Sequence, residues 1–185
     1  MFKLPKLILA SGSPRRAEIL TSVGWEFTRV VQDVDESVFP AEDPGDYVRR
    51  LARSKAESIT ANANGDWVLG ADTIVVIDGQ IIGKPADADD ADRMLRMLSG
   101  NWHDVLTGVA LAGRGATRVG LQKTAVKFTR MTDAEIGFLV EKGDPLDKAG
   151  AYAVQAQAAL FIEGIQGDYW NVVGLPVKLV YELIK

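Results

Sequence analysis

Residues 7–16 read LILASGSPRR, and residues 67–85 read WVLGADTIVVIDGQIIGKP. In the first stretch a short apolar run ends in a polar turn, after which Ala17, Ile19, Leu20 and Val23 predict a helix stopped by Gly24. In the second, the β-rich run from Trp67 to Ile77 is joined to Gln80–Ile82 through Asp78-Gly79, a dipeptide suited to a two-residue hairpin turn. A wholly parallel sheet would need alternating strand–helix units throughout. A strand–helix unit together with a hairpin therefore predicts an α/β fold with a mixed, curved sheet.

Outward from these stretches, Trp25–Val31 reads as a second strand and Gln32–Gly45 as an acidic loop containing Pro40 and Pro44. Asp46–Ala61 reads as a helix with Asp46 as its N-cap, since Tyr47, Val48, Leu51, Ala52, Ala56 and Ile59 recur at helical spacing. Lys55 lies four residues from both Leu51 and Ile59, which places its ammonium among the inward-facing side chains. A third helix is predicted from about Asp87 to Leu98. Two alternating runs, Asn101–Leu111 and Thr117–Phe128, flank the Gly113–Gly115 turn as an antiparallel ribbon. A helix follows from Thr132 to about Glu141. The segment GAYAVQ from Gly150 and the region 161–170 carry β-type residues and glycines, and LPVKLVYELI closes the chain as a helix with Pro176 in its first turn.

At 185 residues the chain has the length of one domain, or of one domain folded as two lobes. A 47% hydrophobic, 25% charged composition excludes disordered, fibrous and membrane classes. With no cysteine and one histidine, thiolate catalysis, disulfides, zinc–cysteine sites and multi-histidine metal sites are excluded, so any metal must sit on carboxylates. Lys and Arg number 21 against 25 Asp and Glu, and the net charge of -4 argues against general affinity for nucleic acid or anionic membranes. MFKLPKLILA is too short for a signal region and no apolar run is long enough to span a bilayer, so the protein is expected to be cytoplasmic.

Four places can carry chemistry. Ser11-Gly12-Ser13-Pro14-Arg15-Arg16 offers hydroxyls, guanidiniums and a helix start, the outline of a phosphate cradle. From spacing alone, a serine N-cap with two solvated arginines is the simpler account. Asp72 stands inside an apolar strand, where a carboxylate is costly without a metal, a cation or a reacting water. Lys84, constrained by Pro85, can join Lys55 in supplying charge to a phosphate chain, although a solvated turn lysine is the usual explanation. Glu36 offers a hard oxygen ligand for Mg²⁺ or Mn²⁺ from a loop of a kind that is usually only solvated. The run Asp87, Asp89, Asp90, Asp92 lacks the pattern of a calcium loop and suits a helix N-terminus, and His103 reads as a strand residue, not a base. No Walker-type loop, GxGxxG or GxSxG motif occurs.

Taken together, SGSPRR after a first strand, Glu36, Lys55, GADTIV, Lys84 before proline, DKAGAY and GLP before the last helix resemble the Maf family of nucleoside triphosphate pyrophosphatases. The motifs run from residue 7 to near the C-terminus in the family's order, and their joint occurrence is specific where each alone is weak. The resemblance implies an elongated two-lobed α/β fold with a curved mixed sheet and a cleft between the lobes, shared with inosine triphosphate pyrophosphatases. Residues 1–185 would form this single domain.

It also implies hydrolysis of dTTP and UTP, and of modified pyrimidine triphosphates, to the monophosphate and pyrophosphate with Mg²⁺ or Mn²⁺. In that reading Asp72 is the proton acceptor and shares the metal with Glu36. Arg16, Lys55 and Lys84 hold the phosphates, with Ser11 and Ser13 near them, and Arg15, Thr73 and Gln155 choose the base. Ala156-Gln157 departs from the glycine more usual after that glutamine. The partner is then a small nucleotide, and a homodimer is implied. Two alternatives stay open: the same chemistry on 7-methyl-GTP or non-standard purine triphosphates, and a nucleotide-sensing regulator of septum formation that does not hydrolyse its ligand.

Overall fold

Strand β1 (Leu7–Ala10) runs parallel to two neighbours, β2 (Phe27–Val30) and β3 (Trp67–Ile77), with Leu7 opposite Phe27 on one side and Trp67 on the other. The computed structural model describes residues 4–60 and 66–185. Its remaining strands are β4 (Gln80–Ile82), β5 (Trp102–Gly113), β6 (Ala116–Phe128) and β7 (Ile162–Gln166). They form an open seven-stranded sheet of order β2-β1-β3-β5-β6-β7, with β4 paired to β3. β3–β4 and β6–β7 are antiparallel, so the sheet is mixed, as the first two stretches predict. The helices are α1 (Pro14–Ser22), α2 (Pro44–Thr60), α3 (Ala88–Leu98), α4 (Asp133–Lys142), α5 (Tyr169–Val173) and α6 (Val177–Ile184). No helix among the described residues is long and apolar enough to cross a membrane.

The chain divides into two compact units. The first comprises Met1–Asp72, Thr107–Gln122 and Gly174–Lys185. Its centre is the contact of α2 with β3 and β5. A Cβ on Gly70 would fall 2.2 Å from the Ala52 carbonyl oxygen and 2.7 Å from the Ala56 nitrogen, and one on Gly108 would fall 2.1 Å from the Val48 carbonyl oxygen. The helix backbone thus rests directly on the strands. Ala52 and Ala56 pack there with Ala10, Ile59, Val68, Ala110 and Ala112.

Helix α2 begins two residues earlier than predicted. The Asp43 carboxylate accepts from the Gly45 and Asp46 amides at 2.8 and 3.2 Å, and Pro44 fills the first helical position, where its missing N–H costs nothing. Asp46 is therefore a first-turn residue paired with Arg49 and not the N-cap. Ala61, the predicted last residue, lies outside the described residues. β2 is shorter than Trp25–Val31 because Trp25 turns inward, its indole N–H donating to the Pro5 carbonyl at 2.9 Å. At the other end of the chain Pro176 caps α6 and is not part of its first turn.

The second unit comprises Thr73–Leu106 and Lys123–Val173. Asp78 and Gly79 both have positive φ, 50° and 74°, the turn that keeps the β3–β4 hairpin in register. Asp87 caps α3 by accepting from the Asp90 amide, and Thr132 and Glu135 form a capping box on α4. The GAYAVQ segment is not a strand. Ala149–Ala151 is a short turn kinked at Gly150, whose φ is 70°, and the Ala156 amide bonds back to the Ala153 carbonyl at 3.1 Å. In the region 161–170, Ile162–Gln166 is extended and Tyr169 starts the short helix α5.

The seating of α2 makes Gly70→Ala a test of the packing. The new methyl meets helix backbone, which cannot step aside as a side chain can, so we expect a loss of roughly 1–3 kcal/mol or more in denaturant unfolding. An unchanged unfolding midpoint would show that α2 is not held against β3 at this point.

Candidate functional site

In a strand, residues two apart share a face, so Asp72 points to the side on which Gly70 meets α2. Lys55 is the residue before Ala56, whose backbone lies on Gly70. The lysine ammonium consequently reaches the strand, donating to Asp72 Oδ1 at 2.7 Å and pairing with Glu36 Oε1 at 2.6 Å. Lys55 and Asp72 are mostly covered, their side chains 15% and 14% exposed, whereas Glu36 is 55% exposed at the end of its loop. One ammonium thus gathers two carboxylates from segments far apart in sequence.

The SGSPRR turn lies in the same unit. Arg16 is 8% exposed; its Nε donates to the Gly174 carbonyl at 2.9 Å and its Nη1 to Ser11 Oγ at 3.0 Å. Burial lowers the pKa of the Arg16 guanidinium, Asp72 and Glu36 oppose that shift, and Arg15 adds to it. Ser13 occupies the N-cap position of α1, yet its side chain makes no capping bond. The Ser11 hydroxyl instead accepts from the Ser13 amide at 3.2 Å as well as from Arg16. The simpler account of a capping serine with two solvated arginines therefore fails: Arg16 is buried and built into the turn, and Arg15 is half-buried.

Thr73, Lys84 and Gln155 belong to the second unit. Thr73 follows Asp72 on β3 and is half-buried, while Lys84 and Gln155 are exposed. The loop of Lys84 and the segment of Gln155 share an anchor, because the Gly150 amide donates to the Gly83 carbonyl at 3.0 Å. Gly150 has φ 70°, and a Cβ there would lie 2.8 Å from Val75 Cγ2, so this segment seats tightly on β3. Ala156 has φ -119°, so the backbone where glycine is more usual does not require one.

Among the described residues no group of three or more His, Asp or Glu side chains forms a metal centre. The donor set that is present, Asp72 with Glu36, is two hard carboxylates. Mg²⁺ and Mn²⁺ are commonly held by one or two carboxylates, with substrate phosphates and water completing the shell, so these residues fit such an ion. The acidic run of α3 does not form a cation site: Asp87 caps the helix, and Asp90 and Asp92 pair with Arg93 and Arg96. His103 is a buried strand residue, 2.8 Å from the Tyr152 hydroxyl and stacked on Phe128, and burial pushes its pKa down to about 4.

Two positioning groups carry no motif. Arg29 on β2 donates to the carbonyls of Ser11, at 2.9 Å, and Gly12, bracing the SGSPRR turn. The Tyr47 hydroxyl donates to the Glu36 carbonyl at 2.9 Å. The apolar stripe of α2 marks Tyr47 as inward-facing, but nothing in the sequence pairs either residue with its loop.

A family model described as Maf-like protein matches residues 6–185. The dTTP/UTP pyrophosphatase of Symbiobacterium thermophilum is 48% identical over 181 residues, covering 98% of this chain and 93% of its own. That of Hahella chejuensis is 47% identical over 184 residues, covering 97% and 91%. Among solved structures, the Staphylococcus aureus Ham1 protein superposes with a TM-score of 0.48 at 12% identity, over 66% of this chain and 71% of its own. With the model match spanning nearly the whole sequence and relatives at 47–48% identity covering 97–98% of it, the chain belongs to the Maf family.

Proposed function

We propose that this protein hydrolyses dTTP and UTP to the nucleoside monophosphate and pyrophosphate, with a divalent cation held by Asp72 and Glu36. The observation that carries the reading is the meeting of Lys55, Asp72 and Glu36 at one point, beside a desolvated Arg16. Relatives at 47–48% identity that bear the dTTP/UTP pyrophosphatase name support the choice of substrate. A nucleotide sensor would need the cations but not two carboxylates beside phosphates, which favours turnover over binding alone.

In this reading water attacks the α-phosphorus, the bond between the α-phosphorus and the bridging oxygen breaks, and pyrophosphate departs. Asp72 takes the proton of the attacking water. When bound, Mg²⁺ or Mn²⁺ supplies Lewis-acid charge relief to the phosphate oxygens. Arg16, already short of solvent, offers donors to the anion with little further desolvation, and Lys55 and Lys84 offset charge on the departing pyrophosphate. Ser11 and Ser13 shape the phosphate turn. Arg15, Thr73 and Gln155 read the base, and the homodimer implied by the resemblance belongs to the same proposal.

Replacing Asp72 by Asn keeps the shape of the side chain and removes its charge. We expect pyrophosphate release to fall by about 10²–10⁴-fold with the fold retained. Near-normal turnover by this variant would remove Asp72 from the mechanism.

Lys55→Met leaves two carboxylates facing each other without their common counter-ion. Stability without divalent cation should drop by about 1–2 kcal/mol, between the values for exposed and buried pairs. Added Mg²⁺ should recover part of that loss while the KM for dTTP stays raised. Thermal melts with and without the ion, beside steady-state kinetics, provide the check, and a variant unchanged in both would make the lysine incidental.

Base choice is tested on a nucleotide panel. dTTP and UTP should exceed ATP and GTP in kcat/KM, because polar groups that pair with the pyrimidine edge are left unpaired by a purine. Gln155→Glu should erode the preference, as it loses an amide donor and brings a negative charge to carbonyl acceptors. A panel led by 7-methyl-GTP or another purine triphosphate would overturn the base assignment and leave the pyrophosphatase chemistry in place.

A further inference from the structure

Residues 31–43 contain no helix or strand, yet the Glu36 carboxylate is held at Lys55. Beside one backbone turn, in which the Glu42 amide donates to the Phe39 carbonyl at 3.1 Å, side chains hold the segment, and several of their contacts converge on one residue of α2. Arg50 donates through Nε and Nη2 to the two carboxylate oxygens of Glu42, at 2.7 and 2.8 Å, and through Nη2 to the Ser37 carbonyl at 2.8 Å. Its guanidinium lies 3.9 Å from the centroid of the Phe39 ring and 5.4 Å from that of Tyr47. Tyr47, three residues back and so on the same face of the helix, donates to the Glu36 carbonyl. Inside the loop, Glu42 accepts from the Phe39 amide at 3.1 Å and Asp35 from the Ser37 amide at 2.9 Å, so fixing Glu42 and Ser37 fixes the segment between them.

We propose that Arg50 and Tyr47 are positioning residues that latch residues 36–42 to α2 and so keep the Glu36 carboxylate at Lys55 and Asp72 before substrate arrives. An ordinary surface ion pair contributes little, but this one differs in kind. It is bidentate, Glu42 is only 10% exposed, and the same guanidinium also binds a carbonyl and covers an aromatic ring. Lysine can replace the charge but neither the planar fork nor the stacking, so Arg50→Lys should not restore the latch.

The consequence is for affinity more than for chemistry. A loop free to leave its bound position spends only a fraction of its time competent, and apparent affinity falls by that fraction while the saturated complex is unchanged. What Glu36 does once in place rests on the pyrophosphatase reading; the latch itself does not.

The test uses the full chain with Arg50→Met, Arg50→Lys and Tyr47→Phe. Three experiments are run: hydrogen exchange of the amides of residues 34–42, Mn²⁺ binding without nucleotide by electron paramagnetic resonance, and steady-state kinetics giving kcat and KM for dTTP. For Arg50→Met we expect faster exchange confined to the loop, Mn²⁺ affinity weaker and KM higher by about tenfold each, and kcat within about twofold. Arg50→Lys should behave like the methionine variant. Tyr47→Phe, which removes only a hydroxyl, should shift the same quantities by less and keeps the test available if Arg50→Met does not fold. Unchanged loop exchange with unchanged Mn²⁺ affinity would overturn the proposal, as would a fall in kcat at constant KM or a lowered melting temperature with the loop still protected. If the unaltered protein turns over no triphosphate, the pyrophosphatase reading fails, while the exchange and Mn²⁺ measurements still decide the latch.

Discussion

Helix α2 can lie on β3 and β5 only because neither strand carries a side chain where the helix backbone crosses it. The ideal Cβ positions of Gly70 and Gly108 fall about 2 Å from helix carbonyl oxygens, well inside any tolerable contact. The helix answers with Val48, Ala52 and Ala56, spaced four apart, so its contact stripe is small along its length. The reach of Lys55 follows from this. A lysine one position before Ala56 meets a carboxylate two positions after Gly70 because the two backbones are already in contact. Larger residues in either stripe would lift the ammonium away from Asp72 and, with it, the partner of Glu36.

The electrostatics build on that geometry. A carboxylate inside an apolar strand is costly unless a partner stands close, and here the partner comes from a different element at 2.7 Å. Arg16 is the complementary case, a guanidinium whose pKa is lowered by burial while two carboxylates push it back up. The chain as a whole is acidic, with a net charge of -4, but its sum says little about a place where two cations and two carboxylates come together.

Much of this was legible in the residues themselves. Periodicity set Lys55 on the inner face of its helix, Asp78-Gly79 fixed the hairpin, and an isolated aspartate in an apolar run marked Asp72. Other features were hidden because they depend on pairing across the chain. Nothing local distinguishes Arg29 or Arg50 from other surface arginines, and their roles emerge only when the carbonyls they bind are in place. Ser13 looked like the natural cap from its position, yet Arg16 turns the Ser11 hydroxyl into the acceptor of the turn. Asp46 likewise lost its predicted cap to Asp43, since a proline at the following position suits a helix start better than any interior one. The GAYAVQ segment carries strand-forming residues, but Gly150 takes a positive φ against Val75 and sends it into a turn.

The division of labour between rigid and irregular parts follows from the same contacts. Asp72 and Lys55 sit on a strand and a helix whose backbones touch, so their separation is set by packing and changes only if the core changes. Glu36 sits on a segment without regular structure, so its place is set by a few polar contacts that can be undone singly. A site that must admit a large anion and release two products gains from this mixture. In the proposed reading the fixed pair would define where the reacting phosphorus has to be, and the loop would supply a ligand whose hold can loosen without disturbing that definition. Substitutions at Ala52 and Ala56 should thus act through the fold and those at Arg50 through affinity, although all three lie within two turns of one helix.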